Sequence, residues 1–228
     1  MKKLFCLQAV FLLICFSGKA QFPLTAEMTG LSGQSLFAVS PEGRVFGNSC
    51  TLDSVPGFSL GLSSSRSFLL EELSEYSAAA QIRLPSAVIL SGGFAMKGFS
   101  LFRYHLVQFA LSKKFGRNCC VSLGGGSSGV RQGEGNGSIS HPHVSAGLQV
   151  RLSPLAELAS GYRIPIRKSG YATATLFQLG VRFRFSPVFS LQPAVEMRGT
   201  QSAFFMALRY RPHPSLSFDL GSGGKPFR

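Results

Sequence analysis

Residues 177–186 read Phe-Gln-Leu-Gly-Val-Arg-Phe-Arg-Phe-Ser, and the period of this stretch decides the fold class. Apolar side chains occupy every odd position, and glutamine, glycine, arginine or serine occupies every even position. Successive side chains of a β-strand point to opposite faces, so this strict alternation predicts a strand with one apolar and one polar face. A helix would spread the phenylalanines and arginines around its whole circumference. The run is ten residues long, which is the length of a tilted membrane-spanning strand.

Similar alternation recurs along the chain, at residues 148–153, 204–211 and 216–221. Short turns such as Arg-Leu-Ser-Pro at 151–154 and Arg-Phe-Ser-Pro at 184–187 separate the runs, which predicts successive hairpins. The only helix predicted is a short one near 67–73, and the glycine-rich stretch 124–137 is predicted to be a mobile surface loop. The predicted strands lie near 57–64, 75–84, 87–96, 103–114, 118–128, 143–153, 156–164, 173–186, 188–197, 202–211 and 214–222, with a weaker one near 34–40.

The N-terminus has the order of a secretory signal peptide. A basic start at Lys2 and Lys3 precedes an almost entirely apolar stretch at 4–16, and small residues follow at the positions that a signal peptidase reads. We therefore predict export with cleavage after Ala20, and a retained anchor is the alternative. The apolar stretch is shorter than the roughly 20 residues that a membrane-spanning helix needs.

The composition favours a protein that meets lipid. Only 14% of the 228 residues are charged, against about 25% in ordinary soluble domains. After residue 20, no apolar run is long enough for a spanning helix. Either the chain is a soluble β-fold with a large core, or it is a barrel whose outer face contacts lipid, and the second explains the 26 glycines and 21 phenylalanines together. The predicted fold is therefore all-β, an antiparallel up-and-down transmembrane β-barrel with about 12 visible strands when the weaker one near 34–40 is counted. Residues 57–228 form the predicted barrel domain, and residues 21–56 form an N-terminal segment or candidate plug.

Three stretches resemble Bacteroidota outer-membrane proteins of the PorV/PorQ type, which are similar in architecture to the FadL fatty-acid channels. They are Pro-Gly-Phe-Ser-Leu-Gly-Leu at 56–62, Glu-Leu-Ser-Glu-Tyr-Ser at 72–77, and Leu-Ser-Lys-Lys-Phe-Gly at 111–116 before a glycine-rich strand. The resemblance implies a barrel in the outer membrane that serves type IX protein secretion, with secretion-machinery proteins or secreted cargo as partners. A FadL-like passive channel for hydrophobic or anionic amphipathic solutes is the alternative.

Two features depart from that family. The Asn-Pro-Ala-Gly-like segment that would contribute to the inner plug is absent from residues 40–48. The resemblance also implies about 14 strands, and outer-membrane strands normally finish on an aromatic residue, whereas this chain finishes on Arg228. We therefore expect that two C-terminal strands are missing from a truncated chain, and a barrel that closes differently is the alternative.

The basic residues suggest two roles for charge. The formal net charge is +13, but the export signal and the scattered placement of the cations argue against nucleic acid as a partner. Cations near turns are predicted to meet lipid headgroups; they are Lys114, Arg117, Arg151 and Arg211. Cations on polar strand faces are predicted to line a lumen that favours anions; they are Arg182, Arg184 and Arg209.

His105 and Ser112 are a candidate Ser-His pair of the kind that some barrel enzymes use, but no spacing in the sequence assembles a triad. No enzyme activity, cofactor or metal is therefore expected.

Cys50, Cys119 and Cys120 remain after processing, and adjacent cysteines in a strand point to opposite faces and are badly placed to bridge each other. A disulfide from Cys50 to one of them, in an oxidising periplasm, is the alternative to free thiols. Histidines 141 and 143 flank a proline and are predicted to mark the start of a strand rather than to bind a metal. A soluble exported β-sandwich used in adhesion is the third functional class, but it predicts polar outer faces.

Overall fold

The computed structural model describes residues 34–37, 41–53, 55–66, 74–99, 102–132, 136–166, 175–199, 201–213 and 216–223. The predicted signal peptide, the predicted helix near 67–73 and the chain end at 224–228 lie outside these residues. Within the described ranges, no helix is long and apolar enough to cross a bilayer.

The described chain is one antiparallel sheet of eleven strands, in which each strand pairs with the strands before and after it in sequence. The prediction of an all-β, up-and-down architecture is confirmed, and a described strand lies at each of the eleven principal predicted positions. In the described residues, the first and last strands each pair on one side only. The strands are β1 (Phe58–Arg66), β2 (Ser74–Arg83), β3 (Val88–Phe99), β4 (Phe102–Phe115), β5 (Cys119–Gln132), β6 (Asn136–Ser153), β7 (Ala156–Pro165), β8 (Leu176–Ser186), β9 (Phe189–Arg198), β10 (Gln201–His213) and β11 (Leu216–Gly223).

Two local predictions are wrong. The described part of the weak strand predicted near 34–40 is a 3-10 turn, Gln34–Phe37, and a short helix α1 (Pro41–Phe46) follows it. The predicted loop at 124–137 is instead the end of β5 and the start of β6, with only 133–135 outside the described residues. Its glycines are needed for space, because a Cβ atom at Gly126 would collide with the carbonyl oxygen of Val107 on β4.

The two faces of the sheet have opposite polarity, and the apolar face is the exposed one. On β8, the side chains of Leu179, Phe183 and Phe185 are 40%, 40% and 64% exposed, whereas Arg182 between them is only 4% exposed. The same holds on β10, where Phe204 and Met206 are exposed while Arg209 is buried. Soluble proteins bury apolar faces and expose polar ones, so this sheet is inverted. We call the apolar, exposed face the outer face and the other the inner face.

The inner face is covered by the chain that precedes the sheet. This inner segment comprises residues 34–37, 41–53 and 55. From α1, Val45 and Phe46 pack on small and apolar residues of β2, β3 and β4, including Leu106. From the 3-10 turn, Leu36 and Phe37 pack on small residues of β7 and β9. A single short segment thus contacts strands that lie far apart in the order of the sheet.

These contacts require the sheet to curve around the inner segment. The Arg163 guanidinium on β7 donates a hydrogen bond of 2.8 Å to the Gln108 amide oxygen on β4. In a flat sheet, three strand spacings would separate these strands by about 14 Å. Likewise, Asp53 of the inner segment binds Lys114 of β4 through its carbonyl and Arg184 of β8 through its carboxylate. The inner face is therefore concave.

Candidate functional site

Strand register places a buried carboxylate between arginines on the inner face. The two-residue turn between β6 and β7 sets Arg151 opposite Glu157, and the next pairing sets Glu157 opposite Arg182. The Arg151 Nε and Nη2 atoms lie 3.1 and 3.0 Å from Glu157 Oε1, and Arg182 Nε lies 3.0 Å from Oε2. Arg184 Nη2 adds a further contact at 3.1 Å from Oε1. Glu157 itself is 1% exposed, so its charge is balanced by these guanidiniums rather than by water.

Asp53 joins the inner segment to these same strands. Its Oδ1 lies 3.0 Å from Arg184 Nη2, and its Oδ2 lies 3.5 Å from Arg182 Nη2. Burial alone would raise the pKa of Asp53, but the neighbouring charges of Arg182 and Arg184 outweigh it and hold the pKa below its usual value. The carboxylate is therefore ionised at neutral pH and binds the segment electrostatically to β8.

Together these five side chains form a charged cluster, defined as Asp53, Arg151, Glu157, Arg182 and Arg184. It contains three guanidiniums and two carboxylates. Buried ions are stable only when pairing and hydrogen bonds replace water, and the side-chain amide of Gln149 adds a 3.2 Å bond to Glu157. Chemically, the cluster fixes the inner segment in place and leaves an excess of positive charge on the inner face.

A second, uncharged anchor lies at Asn48 and Cys50. The Asn48 amide donates to the carbonyls of Leu148 and Ser160, both at 3.4 Å, and its Oδ1 accepts the Cys50 backbone N–H at 3.1 Å. The Cys50 thiol donates to the Cys120 carbonyl at 3.3 Å. The pKa of Cys50 is raised mainly by a hydrogen bond with the Cys120 side chain and, to a smaller extent, by burial. The Cys50 thiol is therefore protonated and unreactive while the inner segment is docked.

The glycine at position 147 makes room for that anchor. A Cβ atom at Gly147 would collide with the Asn48 side-chain oxygen and lie 2.6 Å from the Ser122 hydroxyl. Similarly, a Cβ at Gly180 would lie 2.9 Å from Leu36 of the 3-10 turn. Glycines at these inner positions therefore allow close packing of the inner segment.

The arginines predicted to line a lumen do lie on the inner face, but in separate places. Arg182 and Arg184 belong to the charged cluster. Arg209 is 8% exposed and donates through Nη1 to the Phe37 carbonyl at 3.2 Å. All three thus contact the inner segment.

The four cations predicted to meet lipid headgroups lie in different surroundings. Lys114 projects inward and donates to the Leu52 carbonyl at 3.3 Å, and Arg151 belongs to the charged cluster. Arg117 lies in the exposed turn between β4 and β5. Arg211 is half-buried near the end of β10, where its backbone N–H donates to the Val188 carbonyl at 2.7 Å.

Sequence reasoning missed both carboxylates of the cluster. Glu157 had a detectable signal, because Arg151 and Glu157 flank the predicted turn at 154–155 at positions that face each other across a hairpin. Asp53 had none, since nothing local in the sequence shows which strands the inner segment will contact. The same holds for Asn48, whose carbonyl partners lie 100 and 112 residues further along the chain.

The remaining candidates do not assemble into a reactive centre. His141 and His143 are both buried on the inner face. No group of three or more His, Cys, Asp or Glu that would hold a metal occurs within the described residues. His105 and the buried Ser112 occupy alternate faces of β4, and the Ser112 hydroxyl donates to the Ile89 carbonyl at 3.4 Å. The three described cysteines, 50, 119 and 120, are free thiols.

Comparison of the chain with known families, with curated proteins and with solved structures gave no match in any of the three.

Proposed function

We propose that this protein is an exported outer-membrane β-barrel whose interior is filled by its inner segment, and that it acts as a scaffold or accessory protein. By the sequence resemblance to PorV/PorQ-type proteins, its task would be in type IX secretion, with secretion-machinery proteins or secreted cargo as partners. The observation that carries the proposal is the inverted polarity of the sheet. Apolar side chains are exposed along the outer face, whereas Glu157, Arg182 and Arg209 are buried on the inner face.

The outer face supports a lipid environment. Exposed apolar side chains occur on every strand from β1 to β10, including Phe58, Leu123 and Phe185 at 60%, 66% and 64% exposure. Monomeric soluble proteins rarely expose continuous apolar patches beyond a few hundred Å², whereas hydrocarbon accepts such a face without cost. A soluble adhesion sandwich would instead need polar outer faces, which favours the membrane assignment over that alternative.

The proposal also requires that the edges of β1 and β11 be paired in the membrane. Unpaired backbone N–H and C=O groups are too costly in hydrocarbon, so sheets cross membranes only as closed barrels. The first experiment therefore tests whether the barrel is closed by pairing of these edges.

That experiment is heat-modifiability of the mature protein in isolated outer membranes. A closed barrel resists detergent without heating, so the unboiled protein should migrate faster on a gel than the boiled protein. A heat-insensitive protein found in the periplasm or the medium would contradict the membrane assignment. An unshifted, aggregated protein would contradict closure of this chain.

The scaffold role is favoured over a passive channel because the inner face is occupied. The inner segment contacts residues from β2 to β10 through hydrogen bonds and packing. A FadL-like channel for anionic amphipathic solutes is the second candidate, and the excess of inner positive charge is the observation that favours it.

Conductance across planar bilayers distinguishes the two candidates. If the inner segment blocks the interior of a scaffold, the wild-type protein should give no steady conductance. A channel should give an anion-selective conductance. In cells, deletion should reduce secreted cargo in the medium if the protein serves secretion. A deletion that reduces fatty-acid uptake and leaves secretion unchanged would favour the channel.

A further inference from the structure

One end of the sheet carries a basic cavity that shares only Arg151 with the charged cluster. This cavity of about 300 Å³ lies where β2, β4 and β6 end, and four basic residues line it: Arg83, Lys114, Arg117 and Arg151. No aspartate or glutamate is among its described lining residues, and Leu52, Val55 and Ile89 form an apolar part of its wall. We refer to it as the basic cavity.

The turn that bounds the cavity holds its cations in place. Gly116 adopts a φ of 65°, which allows the tight turn between β4 and β5 that presents Arg117. Across the cavity, the backbone N–H of Arg83 donates to the Gly57 carbonyl at 2.9 Å, and that of Arg151 donates to the Asn118 carbonyl at 2.7 Å. The backbone at these cationic positions is therefore fixed by hydrogen bonds before any ligand arrives.

The positive charge of the cavity is only partly balanced. Lys114 donates to the carbonyls of Leu52 and Asp53, which are neutral acceptors and leave its charge unpaired. Arg151 directs one side of its guanidinium to Glu157. Arg83 and Arg117 are exposed and make no ion pair with any described residue.

We propose that the basic cavity binds a phosphate-bearing anion, either the headgroup of an anionic phospholipid or a soluble phosphate. Guanidiniums bind phosphate oxygens in a bidentate manner, and an ammonium adds a compact charge beside them. The volume is at the lower end of the range for small-molecule sites, which suits one phosphate with a short organic substituent.

The lipid source rests on the proposed function, while the soluble source does not. In outer-membrane barrels, the short turns lie on the periplasmic side, and the short turns at 116–118 and 154–155 lie at this end of the sheet. The cavity would then lie at the level of the headgroups of the inner leaflet, where Arg83 and Arg117 are exposed. Basic pockets at a membrane surface can hold anionic headgroups.

The test uses two probes on the folded full-length mature protein in neutral detergent. Inorganic phosphate is titrated calorimetrically, and mixed micelles of phosphatidylglycerol and phosphatidylcholine are used to measure which lipid the protein retains, by native mass spectrometry. The test variant is Arg83→Gln/Arg117→Gln, which removes two exposed charges that lie outside the charged cluster. The matched control is Arg103→Gln/Arg131→Gln, which removes two exposed charges at the opposite end of β4 and β5.

We expect the wild type to bind at least one probe, the test variant to bind it at least about tenfold more weakly, and the control to match the wild type. Phosphate binding without lipid preference identifies the soluble source, and preferential retention of phosphatidylglycerol identifies the headgroup. Failure of both probes to bind, or equal weakening by both double variants, overturns the proposal. Heat-modifiability of the same samples reports separately on the barrel, so a lost cavity with an intact shift leaves the proposed function standing.

Discussion

Strands β6, β7 and β8 have one face that is buried and charged and another that is exposed and apolar. On the inner face, Glu157 and Arg182 are almost completely buried and pair with each other. On the outer face, Tyr162 and Leu179 are exposed and carry no charge. The inner face depends on charges that satisfy one another, and the outer face depends on having none. Each face should therefore fail under the opposite kind of substitution.

The largest effect is expected from removing the charge at the centre of the inner face. Glu157→Ala leaves three arginines facing a buried site without their shared carboxylate, so folding stability should fall by about 3–5 kcal/mol. Urea titration of the heat-modifiable band measures this loss. If the alanine variant gives no folded band, Glu157→Gln keeps the shape and gives a graded value. A loss below about 1 kcal/mol, the size expected for an exposed pair, would contradict the role assigned to the charged cluster.

Adding a charge to the outer face should have the next largest effect. Leu179→Arg places a guanidinium at mid-strand, which costs about 2–4 kcal/mol if the residue faces the bilayer midplane. Leu155→Arg is the matched control, because Leu155 is also exposed but lies in the turn between β6 and β7, where the cost falls to about 1 kcal/mol or less. Equal tolerance of both arginines, measured by the same titration, would indicate that the outer face meets water.

A smaller effect is expected from filling the space that the inner segment uses. Gly147→Ala should push Asn48 away and cost about 1–3 kcal/mol, since the new methyl group has no room. Gly57→Ala is the control, because a Cβ there has no neighbour within 4 Å. The readout is the rate at which a maleimide labels Cys50, in protein with Cys119→Ser and Cys120→Ser. Faster labelling in the Gly147 variant alone is expected, and identical rates would argue against docking at Asn48.

The smallest effect concerns the pH dependence that Asp53 contributes. Its pKa is lower in the folded protein than in the unfolded chain, so its stabilisation is present above the unfolded value and is lost as pH falls through the folded value. Both groups of the Asp53–Arg184 pair are about one-third exposed, so we expect a contribution of only about 1 kcal/mol. Asp53→Asn should reduce the loss of stability below about pH 4, measured by urea titration at pH 3 and pH 7. An unchanged difference between the two pH values would show that other groups carry the acid sensitivity.

The strands and their two faces follow from the sequence because period two is a local property. The run at 177–186 identifies β8 and assigns Arg182 to the face opposite the phenylalanines, and the structure places it there. Residues 34–37 and 41–46 were not predictable in the same way, since a 3-10 turn and a helix of six residues are set by what they pack against. The stretch 124–137 was predicted as a loop because glycine disfavours strands in general. In this protein, the glycines instead allow close approach to β4.

The charged cluster was only half predictable for a related reason. Its arginines lie in strands whose polar and apolar residues alternate, so the face on which each arginine lies can be assigned from the sequence. Their partner Asp53 lies in the inner segment and reaches Arg184 across 131 positions of sequence, and only the curvature of the sheet brings the two together.

The most direct test of the inverted sheet is collision accessibility of spin labels along β8 in lipid vesicles. Single cysteines at 177, 179, 181, 183 and 185, and at the inner positions 176 and 178 outside the charged cluster, are labelled in protein without its native cysteines. If the apolar outer face contacts lipid, odd positions should collide with oxygen dissolved in the lipid, and even positions should be shielded from both oxygen and a water-soluble nickel reagent. Odd positions that collide mainly with the nickel reagent, or a profile without period two, would contradict an apolar face in contact with lipid.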